Sequence, residues 1–138
     1  MEQRLTIVSL GVTDLASATR FYSEGLGWEQ SSASTGDFVL FVLHGGVGLA
    51  LYPRNLLAEE AGLPDPGGFG GVTLSCNVGS AEEVDEVLRA AVEGGGTLTA
   101  PATERPWGYT GYFADPEGHP WEVAFVPSLA LRDGMLEK

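Results

Sequence analysis

The sequence is poor in cysteine, in basic residues and in long apolar runs. Cys76 is the only cysteine among 138 residues, which excludes an internal disulfide framework and is typical of a reducing cytoplasm. No window approaches the roughly 18 continuous apolar residues that a membrane helix needs, and we find no signal-peptide pattern after Met1. We therefore expect a cytoplasmic protein that does not enter a membrane.

Basic side chains are also scarce. The chain carries 19 acidic and 7 basic residues, for a formal net charge of −12. Such a charge repels nucleic acid and anionic membranes and mildly attracts cationic small molecules. Several of the acids share one predicted helix over residues 80–93, where a solvated acidic face is the simpler interpretation. A small molecule is therefore the expected partner, and nucleic acid is not.

The pattern of strands and helices is written twice within the length of one domain. Each half predicts a strand, a helix and then three strands. Asp14 is a candidate N-cap for the first helix, and Ser80 with Glu83 forms a capping box for the second. We expect a single domain over residues 1–138, divided into module one (1–53), a linker (54–70), module two (71–126) and a C-terminal tail (127–138).

The predicted strands are short and alternate in polarity. In module one they cover residues 5–12, 28–34, 38–43 and 47–52, and in module two residues 72–78, 97–103, 109–114 and 120–126. The linker has room for one short helix at residues 56–61. Val84, Val87, Leu88 and Ala91 lie on one face of the second helix and should pack on the sheet.

Strand alternation divides the sheet into two faces. One face is apolar and should pack beneath the helices. The other mixes apolar, aromatic and small polar groups, as the walls of ligand pockets do. Its candidate site residues are Ile7, Phe41, Ala50, Tyr52, Tyr112 and Glu122.

The segment from Asp115 to Val123 predicts a tight turn followed by a strand. Asp115-Pro116 fixes the backbone for turning, and Gly118 supplies the permissive corner. In the strand, Glu122 alternates with Trp121 and Val123, so one carboxylate faces away from the helices. A carboxylate in that position suggests metal binding or proton transfer.

Three segments together resemble the vicinal oxygen chelate superfamily, which includes glyoxalase I, extradiol dioxygenases and bleomycin-resistance proteins. The first is the stretch from Gly11 to Trp28, which contains a Phe-Tyr pair and a Gly-Leu-Gly-Trp sequence. The second is Trp107-Gly108, and the third is residues 115–122. The resemblance spans nearly the whole chain. It implies an α+β fold in which two tandem βαβββ modules form a curved mixed sheet around a cleft.

Metalloenzymes of that superfamily hold a divalent ion with four inward side chains. By position the resemblance assigns these to Ile7, Ala50, Gly71 and Glu122, and only Glu122 can coordinate a metal. One carboxylate does not make a divalent site. We therefore expect no metal and no cofactor.

Other donors do not replace the missing ligands. His44 and His119 fall on predicted loop tips, and Cys76 faces the helices as a small core residue. Aromatic residues remain for recognition: Trp107 and Tyr109 at the rim of the cleft, beside Tyr112. They could stack on a flat or cationic ligand, although Trp107 could equally serve only to brace its strand.

Three functions are consistent with these features. The first is a metal-independent protein of the glyoxalase/bleomycin-resistance type that sequesters or carries an aromatic or cationic compound. The second is a metal-independent enzyme of natural-product or xenobiotic metabolism that uses Glu122 or Tyr112 as acid or base. The third is a metal-dependent lyase or dioxygenase. The first is our prediction, in a protein that forms a two-fold homodimer.

Overall fold

The computed structural model describes residues 1–25, 27–66, 68–114 and 119–137. The turn predicted at residues 115–118 lies outside the described residues. The elements in chain order are β1 (Ile7–Val12), α1 (Leu15–Arg20) with a π-helical turn (Phe21–Gly25), β2 (Val39–Val42), β3 (Gly48–Pro53), α2 (Arg54–Ala61), β4 (Val72–Asn77), α3 (Ala81–Glu93), β5 (Thr97–Arg105), β6 (Gly108–Ala114), β7 (Pro120–Phe125), β8 (Leu131–Arg132) and β9 (Met135–Leu136).

Seven strands form one curved mixed sheet in the order β2-β3-β1-β4-β7-β6-β5. β1 pairs with β3 in parallel in the first half, and β4 pairs with β7 in parallel in the second. β1 and β4 pair antiparallel and join the two halves at the centre of the sheet. The predicted α+β class is confirmed.

Local capping chemistry sets the starts of the two main helices. The Asp14 carboxylate accepts a hydrogen bond from the Ser17 amide at 2.9 Å, before α1. The Ser80 hydroxyl accepts from the Glu83 amide at 3.2 Å, and the Glu83 carboxylate accepts in return from the Gly79 amide. These bonds satisfy amides that the first helical turn leaves without partners, so both predicted caps are confirmed.

α1 and α3 cover one face of the sheet, as the apolar alternation predicts. Val84 and Leu88 of α3 are buried, and they form a core with strand residues Cys76, Phe113 and Val123. A separate apolar cluster lies under α1, around Leu51. The described α2 occupies the predicted linker.

The strand predicted at residues 28–34 is absent from the structure. Trp28 instead packs its ring against Tyr22. Serine side chains then turn the chain: the Ser31 hydroxyl accepts from the Ala33 amide, and the Ser34 hydroxyl accepts from the Leu40 amide. Such local bonds compete with a strand ladder. The first half therefore contributes three strands to the sheet and the second half four.

The C-terminal tail folds back onto the first half of the sheet. Its hairpin, β8 and β9, brings Leu136 into a buried cluster with Ile7, Leu40 and Ala50. The Leu136 amide donates to the Gly46 carbonyl at 3.0 Å and fixes the tail in place. The tail therefore fills part of the sheet face that lies opposite α1 and α3.

Within the described ranges, no helix combines the length and the apolar character that crossing a membrane requires.

Candidate functional site

A cavity of about 280 Å³ lies on the sheet face opposite α1 and α3. Helix α2 closes one side through Leu57 and Glu60, and the tail closes another through Ser128 and Leu129. The volume is near the lower end of the range of about 300–1,000 Å³ that is typical of ligand pockets. The cavity can therefore hold a small organic molecule.

The walls combine aromatic rings with acidic groups. The aromatic residues are Phe38, Tyr52, Trp107 and Tyr112, and the acidic residues are Asp37, Glu60 and Glu122. No lysine, arginine or histidine occurs among the described residues that line the cavity. The site therefore has apolar surfaces for stacking and a negative electrostatic potential.

The carboxylate of Glu122 is the most heavily hydrogen-bonded group in the cavity. It accepts from the Ser75 hydroxyl at 2.8 Å and from the Tyr112 hydroxyl at 2.9 Å. The Thr110 hydroxyl lies 3.2 Å from the same carboxylate and shares its hydrogen with the Val123 carbonyl at 3.1 Å. β4, β6 and β7 position these groups, since Ser75 and Tyr112 are the cross-strand partners of Glu122. The partners satisfy a carboxylate that is partly buried in the cavity wall.

Burial shifts the acid–base properties of this group. Desolvation raises the pKa of Glu122, and its bonds to Ser75 and Tyr112 only partly offset that effect. The pKa of Tyr112 is raised well above its ordinary value, first by burial and then by the nearby Glu122 charge. Glu122 is therefore a group that can hold or release a proton nearer to neutral pH than an ordinary glutamate.

Glu60 is a second carboxylate at the same site, and sequence analysis missed it. It projects from α2, accepts from the Tyr52 hydroxyl at 3.0 Å and lies 3.4 Å from the Tyr112 hydroxyl oxygen. Its charge raises the pKa of Glu122. Only the tertiary placement of α2 over the sheet brings it here, although an acidic pair at residues 59 and 60 in the predicted helix was visible in the sequence.

Five of the eight predicted site residues line the cavity together. They are Ile7, Tyr52, Trp107, Tyr112 and Glu122. Trp107 lies at the rim and is 37% exposed, whereas Tyr112 is 2% exposed at the base. Ser9, Asn77 and Ala124 also line the cavity and were not predicted as site residues.

Phe41 and Tyr109 lie on the opposite face, which corrects their predicted places in the cleft. Phe41 pairs with Leu49 and packs in the cluster beneath α1. Tyr109 pairs with Phe125, packs on the α3 side and donates its hydroxyl hydrogen to Asp85 at 3.0 Å. Leu40 occupies the face that had been assigned to Phe41, so the register predicted for β2 was off by one residue.

Ala50 faces the cavity side, but it does not line the cavity. It pairs with Ser9 and Leu40, and it is fully buried in the cluster that contains Leu136. The tail covers the space that its small side chain was expected to leave for a ligand. This burial corrects the predicted role of Ala50.

Strand register identifies four facing positions at the centre of the sheet. Ile7 is opposite Gly48 and Ser75, and Ser75 is opposite Glu122. The counterpart of Glu122 in the first half is therefore Gly48 and not Ala50. Likewise, the counterpart of Ile7 in the second half is Ser75 and not Gly71, because Gly71 precedes β4 with a φ of 87°.

These four positions do not fit a divalent metal. One carboxylate and one hydroxyl face the centre, while Ile7 and Gly48 contribute no donor. A side chain at position 48 would meet Leu136 and Leu40 at 2.9 Å from its Cβ. Nowhere in the described residues do three His, Cys, Asp or Glu side chains group as metal ligands do.

The family model Glyoxalase/Bleomycin resistance protein/Dioxygenase superfamily matches residues 4–123. A solved structure described as an NAD-dependent benzaldehyde dehydrogenase from Legionella pneumophila is 27% identical, with a TM-score of 0.70, over 87% of this chain and 97% of its own. A glyoxalase-related enzyme from Fulvimarina pelagi is 33% identical, with a TM-score of 0.49, over 99% of this chain and 98% of its own.

A more distant match is a glyoxalase that contains a metal. The Mn(II)-bound glyoxalase from Novosphingobium aromaticivorans is 21% identical, with a TM-score of 0.55, over 96% of this chain and 39% of its own. Among curated proteins, none matches the chain.

Proposed function

Because the chain belongs to the glyoxalase/bleomycin resistance protein/dioxygenase superfamily, we propose that it is a metal-independent small-molecule-binding protein of that superfamily. It sequesters or carries an aromatic or cationic organic compound. The ligand occupies the cavity between the central strands, α2 and the tail.

One observation carries the proposal: the centre of the sheet face holds Ile7, Gly48, Ser75 and Glu122. A divalent ion needs several converging donors, and this set supplies one carboxylate and one hydroxyl. The walls of the adjoining cavity of about 280 Å³ contain four aromatic residues. These features support an organic ligand in place of a metal.

The aromatic walls support stacking recognition. The rings of Phe38 and Tyr52 meet edge to face, with centroids 6.4 Å apart at an interplanar angle of 71°. Trp107 stands at the rim with its ring partly exposed. A flat ligand that lies against these rings gains aromatic contacts, and a positive charge on it gains from the acidic lining.

A ligand-detected NMR experiment tests the proposal. Single-ring aromatic compounds, some cationic and some neutral, are mixed with chelator-treated protein, and saturation transfer identifies those that bind. Val126→Trp places extra volume in the cavity wall and should abolish binding. Val92→Trp adds the same volume on exposed α3 and should not. If no compound binds, or if Val126→Trp leaves binding intact, the proposal is wrong.

The hydrogen-bonded pair of Glu122 and Tyr112 favours a second candidate, a metal-independent enzyme. Desolvation raises the pKa of Glu122, and the carboxylate lies 2.9 Å from the Tyr112 hydroxyl. Such a pair could pass a proton to or from a bound substrate. Conversion of an identified ligand by wild type but not by Glu122→Gln would favour the enzyme over the carrier.

We also propose that two copies associate as a two-fold homodimer. β5 ends the sheet with one neighbouring strand, and an unpaired strand edge needs covering. Leu98 of β5 is 44% exposed, which adds apolar surface at this edge. Light scattering at micromolar concentration should give twice the chain mass, and a monomer there would contradict the assembly.

A further inference from the structure

We infer that the ligand is a protonated primary or secondary amine joined by a short alkyl chain to a single aromatic ring, and that its N–H groups donate to Glu60 and Glu122. The inference rests on the proposed function and specifies the ligand class of the same cavity.

A count of hydrogens shows an open acceptor on Glu60, beside the Tyr112 hydroxyl. The Tyr112 hydroxyl has one hydrogen, and it donates that hydrogen to Glu122 at 2.9 Å. The same oxygen lies 3.4 Å from Oε2 of Glu60, so this carboxylate oxygen faces a donor that is already used. Tyr52 donates to the other oxygen, Oε1, at 3.0 Å. Oε2 of Glu60 therefore needs a hydrogen from outside the protein.

Asn77 provides an independent observation. It is 2% exposed and lines the cavity, and no described residue donates a hydrogen bond to its side-chain oxygen. A buried acceptor without a partner is costly. Glu60 of α2 therefore presents the unused acceptor at the cavity wall, and the unpartnered Asn77 oxygen lies shielded behind that wall on β4.

Charge favours an ammonium over a neutral donor. Glu60 raises the pKa of Glu122 through repulsion, in addition to the larger effect of burial, and a cation between the two carboxylates would relieve that repulsion. Arg105 lies close enough to Tyr52 to lower its pKa, against the larger raising effects of burial and Glu60. It does not line the cavity, so it does not compete with a ligand cation for the two carboxylates at the cavity wall.

The volume limits the rest of the ligand. An apolar cavity of about 150 Å³ holds benzene, so a cavity of about 280 Å³ has room for one ring and a short chain. The aromatic walls suit the ring, and the acidic end suits the amine. An arylalkylamine satisfies both requirements.

Three probes that share a phenethyl group separate charge from hydrogen bonding. Phenethylamine carries a charge and N–H donors, 2-phenylethanol is neutral, and trimethylphenethylammonium is charged without N–H donors. Titration calorimetry should give phenethylamine an affinity about 10-fold or more above each of the others. Glu60→Gln should remove this preference, because glutamine keeps an acceptor for Tyr52 but loses the charge. Glu59→Gln, an exposed neighbour on α2, should keep it.

Several outcomes would overturn the inference. Equal binding of the amine and the alcohol would show that the acidic groups do not select the ligand. Equal binding of the quaternary compound would show that the site recognises the cation by stacking on the rings and not by N–H donation. If Glu60→Gln keeps the preference and its melting temperature is unchanged, Glu60 does not bind the amine. If phenethylamine fails to bind at millimolar concentration, the ligand is not an arylalkylamine. Neutral compounds that still bind in the NMR experiment would leave the proposed function intact.

Discussion

Ser75 and Glu122 stand opposite one another on neighbouring parallel strands, and the serine hydroxyl donates to the glutamate carboxylate at 2.8 Å. The equivalent pair in the first half of the sheet is Ile7 and Gly48. The two pairs occupy matching places, yet one is polar and the other is apolar. The centre of the sheet therefore has a polar end, where Glu122 lines the cavity, and an apolar end, where Gly48 lies against Leu136 of the tail.

The apolar end should reject a carboxylate. Gly48→Glu adds a charged side chain whose Cβ would lie within 3.2 Å of Leu40, Leu136 and Ile7, so it should destabilise the protein by about 3 kcal/mol or more. Gly36→Glu is the matched control, because a Cβ there would meet nothing within 4 Å. Urea unfolding measures both variants. Equal stability of the two would mean that the tail does not seal this position.

The assignment of faces predicts different effects for two aromatic substitutions. Phe41→Ala should cost about 3–5 kcal/mol of folding stability, because this ring is 1% exposed and packs against Tyr22 and Trp28. Trp107→Ala should leave stability nearly unchanged and weaken ligand binding by about 1–3 kcal/mol. Thermal unfolding and titration calorimetry on both variants check this. The reverse pattern would show that the two faces are exchanged.

Glu122 should make stability depend on pH. Its pKa in the folded protein is raised above the ordinary 4.5. Between pH 4.5 and the folded-state pKa, the folded state therefore binds more protons than the unfolded state. Its contribution is fully present below 4.5 and is lost as the pH rises through the folded pKa.

The measurement is urea unfolding of wild type and Glu122→Gln at neutral pH and near 4.5. Relative to the variant, wild type should gain stability as the pH falls. Glu59→Gln removes an exposed carboxylate and controls for the change in net charge. A wild type that loses stability relative to Glu122→Gln on acidification would contradict the raised pKa.

Local chemistry made much of the fold predictable. Asp14 and Ser80 indicate helix starts because their side chains satisfy amides within three residues. Tyr112 and Glu122 alternate with apolar neighbours on their strands, so their face follows from the sequence. β2 offers no such alternation, since all four of its residues are apolar, and its register could not be fixed without β3.

Long-range contacts account for what the sequence did not show. Leu136 reaches Ala50 only because the tail folds back, and Glu60 reaches Tyr112 only because α2 crosses the sheet. The sequence does, however, contain a signal for the correct counterpart of Glu122. Aligning the prolines at positions 53 and 127, which follow similar strands, places Gly48 against Glu122 and Ala50 against Ala124.

The central claim, a cavity that binds an organic ligand without a metal, is tested most directly by titration calorimetry with the tightest compound from the NMR experiment. The protein is measured after treatment with chelator and again after adding one equivalent of Mn²⁺ or Zn²⁺. The account predicts the same affinity in every case and no binding to Val126→Trp. Binding that appears only with a metal, or that is lost on chelation, would contradict it.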